Sequence, residues 1–398
     1  MDLLIKNARV FDGFSLKQGT WNVAISKEKI VDVFSGERKT GRAIQEIDAS
    51  GKLLFPGLID LHVHLTWDGG LDPATTIEQS SPEKILTDTV SSTLKYLEKG
   101  ITSVRDLGST NDAAIHVGKA VDSGKLPGPR IFSSGRSIIM TGGHDPFHGI
   151  MIDGPWEALK AVRLQAFAGA RVIKISATGG VYGRATGEGV EDIELRPEEI
   201  AMIVNEAHRR HLPVTAHAIG EEGISNCVEA GIDCIEHGHY ITPSLAKKMF
   251  KKDISYVPTL AVYKHLSEDP EIPEYARGKS KKIVERQMQA FQWAQEAGVR
   301  IGAGSDTGSA KMPHPSLLRE LVALNKAGLG FEEVIKAATS EAAKILGMEG
   351  RLGVIRPGAL ADCVVVAGEL EENFDDMDKI FYVIKGGRMV YKREDLKK

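Results

Sequence analysis

Two histidines one residue apart, His62 and His64, are the first residues of the sequence whose types and spacing suggest chemistry. Asp60 shares their parity, and residues two apart in a strand point to the same face. Two neutral imidazoles on one face can bind one metal ion through their ring nitrogens. An isolated pair of this kind is more often structural, but this pair ends an apolar segment that opens with Pro56 and Gly57. The sequence therefore predicts a metal site at this point of the chain.

The elements that must position these histidines are predicted from residues 57–345, where short apolar segments alternate with longer amphipathic ones. Strands are predicted at residues 58–65, 103–106, 130–133, 172–176, 214–218, 234–237, 255–259 and 300–305. Helices are predicted at residues 82–98, 156–168, 197–210, 220–230 and 281–297. Eight strands that alternate with helices predict a (β/α)8 barrel of parallel strands. In such a barrel the side chains at the C-terminal strand ends share one rim, where active sites are built.

Four more titratable residues lie late in these predicted strands or at their ends: Lys174, His217, His237 and Asp306. Each alone has an ordinary explanation, because a lysine in a strand can extend its ammonium to solvent and a histidine or aspartate at a strand end often belongs to a turn. Together with the two histidines of the first strand they place six titratable side chains at one rim. That joint placement favours a functional site over six separate structural roles.

The two ends of the sequence differ from the centre, because short strands separated by polar turns fill residues 1–56 and 350–398. We expect these two segments to meet in one small β-sandwich, with the barrel of residues 57–349 inserted between them. The expected fold class is therefore α/β, a TIM barrel with a small β domain.

Composition narrows the classes of partner. The 398 residues are 42% hydrophobic, which is enough for a large core. A net charge of −4 gives no electrostatic reason to expect nucleic acid or an anionic membrane as partner. Three cysteines without a Cys-x-x-Cys motif do not predict a disulfide framework, and neither a signal peptide nor a membrane-spanning apolar run is visible. We expect a cytoplasmic protein with a small-molecule substrate, for which a homo-oligomer is possible.

The segment Pro-Gly-Leu-Ile-Asp-Leu-His-Val-His, residues 56–64, resembles the amidohydrolase superfamily, whose members are metal-dependent hydrolases built on a (β/α)8 barrel. The order of the six rim residues is similar to that of the binuclear members. The resemblance implies the following ligands for two divalent ions: His62, His64 and Asp306 for one ion, His217 and His237 for the other, and Lys174 as the bridge between them.

The resemblance also implies a chemical form for the bridge and a mechanism. Lys174 would be N6-carboxylated by carbon dioxide, because a protonated lysine is repelled by two dications whereas a carbamate offers them two anionic oxygens. Nitrogen and oxygen ligands suit Zn²⁺, and Mn²⁺, Fe²⁺ or Co²⁺ also fit. A hydroxide shared by the two ions would attack a carbonyl, and Asp306 would carry the proton to the departing nitrogen.

Four local segments resemble one branch of the superfamily, the dipeptidases that act on Xaa-Pro or Xaa-Arg/Lys and relatives of imidazolonepropionase. They are Thr-Ser-Val-Arg-Asp (102–106), Met-Thr-Gly-Gly-His (140–144), Lys-Ile-Ser-Ala-Thr-Gly-Gly-Val (174–181) and Glu-His-Gly-His-Tyr (236–240). The branch implies that His144 and Tyr240 contact the substrate, with His148 and His239 close enough to be alternatives. Arg184 lies in the glycine-rich segment 178–189, which is either a plain connection or a lid, and its guanidinium could pair with a substrate carboxylate.

The predicted activity is hydrolysis of an amide bond in dipeptides or N-acyl amino acids. Deamination is disfavoured, because the glutamate that deaminases carry three residues after the strand 5 histidine is replaced here by Gly220. An imidazolonepropionase-like reaction on a cyclic amide is disfavoured by Lys174, since that enzyme resembles a one-metal site. The remaining alternatives are the same mechanism on a non-peptide amide, carbamate or lactone, and a metal-free scaffold or binding protein.

Overall fold

A computed structural model of the chain describes residues 1–36, 43–181, 187–368 and 370–393. The strands are β1 Leu3–Val10, β2 Trp21–Ser26, β3 Lys29–Phe34, β4 Gln45–Asp48, β5 Lys52–Pro56, β6 Leu58–Val63, β7 Ile101–Asp106, β8 Arg130–Ser133, β9 Ser137–Met140, β10 Gly149–Ile152, β11 Ile173–Ser176, β12 Val214–Ala218, β13 Cys234–His237, β14 Ser255–Val257, β15 Cys363–Ala367, β16 Ile380–Lys385 and β17 Arg388–Lys392. The α-helices are α1 Pro73–Glu78, α2 Pro82–Leu94, α3 Ala113–Asp122, α4 Pro155–Ala168, α5 Pro197–Arg209, α6 Glu221–Ala230, α7 Pro243–Lys251, α8 Leu260–Glu268, α9 Glu274–Glu296, α10 Leu317–Lys326, α11 Phe331–Ala337 and α12 Ser340–Ile345. Short 3₁₀ helices lie at Leu97–Lys99, Thr110–Asp112, Pro146–His148 and Phe374–Asp378.

Parallel strands form the barrel, which confirms the fold predicted from the sequence. β6, β7 and β8 are neighbours in one sheet, and β11, β12, β13 and β14 are neighbours in another. The two sheets approach each other between β8 and β11, where the Arg171 amide donates to the Ser133 carbonyl at 2.9 Å. Two short strands that the sequence did not predict, β9 and β10, extend the second sheet at this side.

Residues 300–307 close the barrel between β14 and β6, although the strand predicted at 300–305 forms only isolated bridges. The Tyr256 amide donates to the Arg300 carbonyl at 2.8 Å, and the Asp306 amide donates to the His62 carbonyl at 2.8 Å. Glycines explain this close approach, because a Cβ on Gly304 would lie 2.8 Å from the His62 Cβ. The prediction was therefore right about the position of the segment and wrong about its regularity.

Several predicted element ends differ from the structure. The strand predicted to reach residue 65 ends at Val63, where the next amide, that of His64, donates to the Thr307 carbonyl. The helix predicted at 82–98 ends at Leu94, and the helix predicted to begin at 281 begins at Glu274. Helix starts follow a common local rule, since α1, α2, α4, α5 and α7 all open with proline, whose missing N–H would have no partner there.

The N- and C-terminal strands meet in one eight-stranded sheet with the order β17-β16-β15-β5-β1-β2-β3, in which β4 pairs with β1. β15 joins the two ends of the chain by pairing antiparallel with β5. The small core of this sheet contains apolar side chains from both ends of the chain, such as Ile5, Leu54, Val365 and Ile384. The two terminal segments therefore fold together as predicted, while the boundaries at 56/57 and 349/350 stay a prediction.

Among the described helices, none combines the length and the apolar character that a membrane span requires.

Candidate metal centre

The six rim residues predicted from the sequence line one cavity of about 50 Å³ at the C-terminal ends of the barrel strands. They are His62, His64, Lys174, His217, His237 and Asp306, and each is buried. The structure thus brings together residues that are separated by up to 244 positions in the sequence, because parallel strands end at the same rim.

His62, His64 and Asp306 form the tightest group. The Oδ1 atom of Asp306 lies 3.7 Å from His62 Nε2 and 3.3 Å from His64 Nε2, and the three residues offer ligand atoms within 4.8 Å of one another. His62 Nε2 and His64 Nδ1 are buried without a hydrogen-bond partner in the described chain. Buried ring nitrogens are normally paired, so these unpaired atoms fit a bound cation.

His217 and His237 stand beside this group. The His62 and His237 ring centroids are 5.0 Å apart, and those of His217 and His237 are 4.7 Å apart. His237 Nδ1 bonds with Thr259 Oγ1 at 2.8 Å, and His217 Nε2 donates to the Gly179 carbonyl at 3.1 Å. These bonds orient both rings and leave one nitrogen of each for a metal ion. Burial lowers the pKa of both imidazoles well below the usual value, so they are neutral, as ligands must be.

Two of the six rim residues have an unusual backbone conformation. His237 and Asp306 adopt left-handed backbone angles, with φ of 68° and 55°. Such angles in residues other than glycine are strained by about 1–3 kcal/mol and concentrate at functional sites. Local bonds hold both residues in place, since Tyr256 donates its hydroxyl to the His237 carbonyl at 2.8 Å and Ser309 donates to Asp306 Oδ1 at 3.0 Å.

A buried carboxylate that the sequence analysis did not assign, Glu236, orients His62. Its Oε2 accepts from His62 Nδ1 at 2.8 Å, while Oε1 accepts from Arg105 at 2.6 Å and from Thr215. Burial alone would raise the pKa of Glu236, but the Arg105 guanidinium and His62 lower it to about 2. The sequence did contain a signal for this ion pair, because Arg105 and Glu236 are opposite charges within two predicted apolar strands.

Asp60, noted in the sequence for its parity with the histidines, forms hydrogen bonds with both β6 and the closing segment 300–307. It accepts from the amide of His62 at 3.2 Å, from the amide of Ser305 at 3.0 Å and from the hydroxyl of Ser305 at 2.6 Å. Burial raises its pKa to about 7. Its observed role is to tie β6 to the closing segment directly before Asp306.

Lys174 lines the cavity from β11, and its side-chain amine makes no ion pair or hydrogen bond to another described residue. Burial is the main cause that lowers the pKa of its ammonium. An amine in this setting favours the neutral form, which is the form that reacts with carbon dioxide.

His144 lies in the cavity, but its ring already has two carboxylate partners. Nδ1 bonds with Glu188 Oε1 at 2.8 Å, Nε2 lies 3.0 Å from Asp145 Oδ2, and the His144 amide donates to Glu194. Burial alone would lower the pKa of His144, but Asp145 and Glu188 raise it to about 10. The ring is therefore a positively charged donor at neutral pH.

The other substrate residues expected from the sequence are placed differently. Tyr240 is half-buried and does not line the cavity; its ring packs against Arg286, whose guanidinium carbon lies 5.6 Å from the ring centroid. Arg184 lies outside the described residues. Of the two alternative histidines, His148 lines the cavity and accepts from Trp67 Nε1 at 3.2 Å, whereas His239 is buried beside Tyr263.

The barrel, the cluster of histidines with a carboxylate and the buried lysine define a class of protein, the metal-dependent barrel hydrolases. The sequence profile of the amidohydrolase family matches residues 53–390, and the chain belongs to this family.

Individual relatives agree with this assignment. The chain is 31% identical over 373 residues to the ochratoxinase of Aspergillus niger, covering 85% of this chain and 75% of that protein. Among solved structures it is similar to a Xaa-Pro dipeptidase with bound methionine in the active site, with TM-score 0.90, 31% identity and coverage of 98% and 100% of the two chains. It is also similar to a prolidase complexed with N-methylphosphonate-L-proline, with TM-score 0.89, 28% identity and coverage of 98% and 100%. The protein is therefore a hydrolase of amide or peptide C–N bonds.

Proposed function

We propose that this protein hydrolyses the amide bond of dipeptides or N-acyl amino acids with the help of two divalent ions, of which Zn²⁺ fits best. The observation that carries the proposal is the convergence of the six predicted ligands on one cavity with unpaired, buried ring nitrogens. The likeness to a Xaa-Pro dipeptidase and to a prolidase supports the choice of substrate class.

The donor set fits two ions. His62, His64 and Asp306 supply nitrogen and oxygen atoms for one ion, and His217 and His237 each keep one free nitrogen for the other. The cavity lining contains no cysteine in the described chain, which suits Zn²⁺ with nitrogen and oxygen ligands and also admits Mn²⁺, Fe²⁺ or Co²⁺.

Lys174 would complete the set as a carbamate. The neutral amine forms an N–C bond to carbon dioxide and releases one proton, which leaves a carboxylate with two oxygens in place of the amine. The lowered pKa of the buried ammonium favours this reaction, because it makes the reactive neutral amine easier to form.

The chain's own residues then divide the chemistry. When bound, the metal ions supply a hydroxide at neutral pH and polarise the carbonyl that it attacks. Burial alone would raise the pKa of Asp306, but His62 and His64 hold it well below its usual range, so Asp306 is an ionised acceptor. It can take the proton released by the attacking water and return it to the departing nitrogen. Glu236 and Arg105 keep the His62 ring in position meanwhile.

Two divalent ions per chain are the first expected result. Protein purified with zinc supplementation should contain two ions by elemental analysis, and chelation followed by dialysis should abolish hydrolysis until zinc is restored. His116→Ala, which changes an exposed histidine of α3, serves as the control and should keep both ions. One ion or none in the supplemented protein would contradict the binuclear proposal.

A preference for a free carboxylate is the second expected result. The charged His144 ring could exchange Asp145 for a substrate carboxylate at Nε2, while Glu188 on Nδ1 keeps the ring protonated. One such charge-assisted bond is worth about 1.5–3 kcal/mol, or roughly ten- to a hundredfold in kcat/KM. Free-acid dipeptides should therefore exceed their C-terminal amides by that factor, and His144→Ala should remove the preference without loss of metal.

A second candidate follows from the same contacts. Because both ring nitrogens of His144 already face carboxylates, the site could accept a substrate that has no carboxylate. Equal cleavage of free-acid and amidated dipeptides would favour a substrate without a carboxylate. A non-peptide amide, carbamate or lactone would then replace dipeptides as the proposed substrate.

A further inference from the structure

Tyr263 is held against the metal ligands by its position on α8, the helix that follows β14. Its ring packs edge-on against His237, with centroids 5.3 Å apart, and against His239, with centroids 4.2 Å apart. The start of α8 is fixed by Glu320, whose carboxylate accepts from the amides of Leu260 and Ala261 at 3.0 and 2.8 Å. The ring therefore has little freedom to turn away from the cavity that it lines.

The Tyr263 hydroxyl lacks the partner that buried tyrosines usually have. Tyr263 is 4% exposed, yet its hydroxyl makes no hydrogen bond to any described residue. The other two fully buried tyrosines of the described chain are both paired: Tyr96 bonds with His314 Nδ1 at 2.7 Å, and Tyr256 donates to the His237 carbonyl at 2.8 Å. Because Tyr263 lines the cavity, a ligand group inside the cavity can supply the partner that its hydroxyl lacks in the described chain.

Tyr240, to which the family resemblance assigns a substrate contact, has a different environment. Its side chain lies outside the cavity lining, and burial together with the neighbouring Glu191 carboxylate raises the pKa of its hydroxyl. Arg286 covers the Tyr240 ring. Tyr263 therefore lines the cavity, whereas the Tyr240 side chain does not.

We infer that Tyr263 is a catalytic residue whose hydroxyl donates a hydrogen bond to the substrate oxygen that becomes negatively charged when water adds to the scissile carbonyl. This inference rests on the proposed function. The hydroxyl forms and breaks no covalent bond: water adds to the carbonyl carbon, the C–N bond breaks, and the proton reaches the departing nitrogen through Asp306. A preorganised donor aimed at a developing oxyanion lowers the barrier because it needs no reorganisation during the reaction.

The test compares Tyr263→Phe with a control that also removes one hydroxyl and keeps the ring, Tyr382→Phe on β16 of the terminal sheet. Loss of one oxyanion donor typically lowers kcat by about 10²–10³. With an Xaa-Pro dipeptide, Tyr263→Phe should therefore lose at least a hundredfold in kcat with little change in KM, whereas Tyr382→Phe should behave like the parent protein. Both variants should keep the metal content and the Tm of the parent protein. Full kcat in Tyr263→Phe, or an equal loss of kcat in Tyr382→Phe, would overturn the inference.

Binding of N-methylphosphonate-L-proline separates this inference from the proposed function. Its tetrahedral phosphonate oxygens resemble the charged oxygen of the reaction, whereas L-proline lacks them. Calorimetry on the metal-loaded protein should show at least a tenfold weaker phosphonate affinity in Tyr263→Phe and an unchanged affinity for L-proline. If the parent protein binds the phosphonate but cleaves no dipeptide or N-acyl amino acid, the proposed substrate class is wrong. In that case, an unchanged phosphonate affinity in Tyr263→Phe would still refute the role of Tyr263. If the parent protein does neither, both are refuted.

Discussion

Lys174→Ala should remove the metal pair and lower kcat/KM by at least about a thousandfold. The variant deletes the residue that we propose as the bridge between the two ions, and bound ions contribute several kcal/mol of transition-state stabilisation, with each 1.36 kcal/mol worth a factor of ten. Elemental analysis and hydrolysis of a dipeptide are the two measurements. Lys160→Ala, at an exposed position of α4, is the control and should behave like the parent protein.

The chemical form of Lys174 can be tested apart from its loss. Growth or incubation with ¹³C-bicarbonate should give the parent protein a carbamate ¹³C resonance that is missing from Lys174→Ala. Short carboxylic acids such as acetate or formate should partly restore metal content and activity to the variant, because they can supply the two bridging oxygens. A variant that keeps two ions and full activity without added acid would show that Lys174 is no bridge.

The rim residues could be predicted because strand periodicity and barrel topology act together. Each of the six lies in or directly after a strand whose pattern is visible locally, and the barrel then brings these strands to one rim without further information. The contacts that refine the site have no such local signal. Glu236 meets His62 across 174 positions, and Arg105 meets Glu236 across 131. Their pairing depends on the inward orientation of side chains on three different strands, β6, β7 and β13.

Tyr240 and Tyr263 also differ in how far the sequence alone can indicate a contact with the cavity. Tyr240 stands in a motif, three residues after His237, and a motif can be read from the sequence. Tyr263 has no motif, and it lines the cavity from the first turn of α8, the helix that follows β14. The sequence also did not reveal the irregular backbone of the closing segment 300–307, which was predicted as a strand but forms only isolated bridges. The cytoplasmic location and the homo-oligomer stay predictions.

Asp306→Asn should lower kcat/KM for an amide substrate by about 10³–10⁴, the upper range for loss of a general acid–base group, enlarged here by the loss of an anionic metal ligand. The fold should persist, because asparagine tolerates the left-handed angle of φ 55° at this position and its amide oxygen can still accept from Ser309. Asp253→Asn, at an exposed residue after α7 that also has a positive φ of 57°, is the matched control.

Leaving-group dependence separates the two roles of Asp306. If it protonates the departing nitrogen, an ester or a p-nitroanilide should suffer less from Asp306→Asn than the unactivated amide, because a better leaving group needs less help from an acid. If Asp306 only binds metal, all substrates should lose activity by the same factor, and added zinc should restore it. The expected result is a loss for the p-nitroanilide at least tenfold smaller than for the dipeptide, measured at saturating zinc with metal content checked in the same sample. A loss below about tenfold for the dipeptide in the metal-loaded variant would remove Asp306 from the proton pathway, since a group that carries the proton contributes at least about a hundredfold.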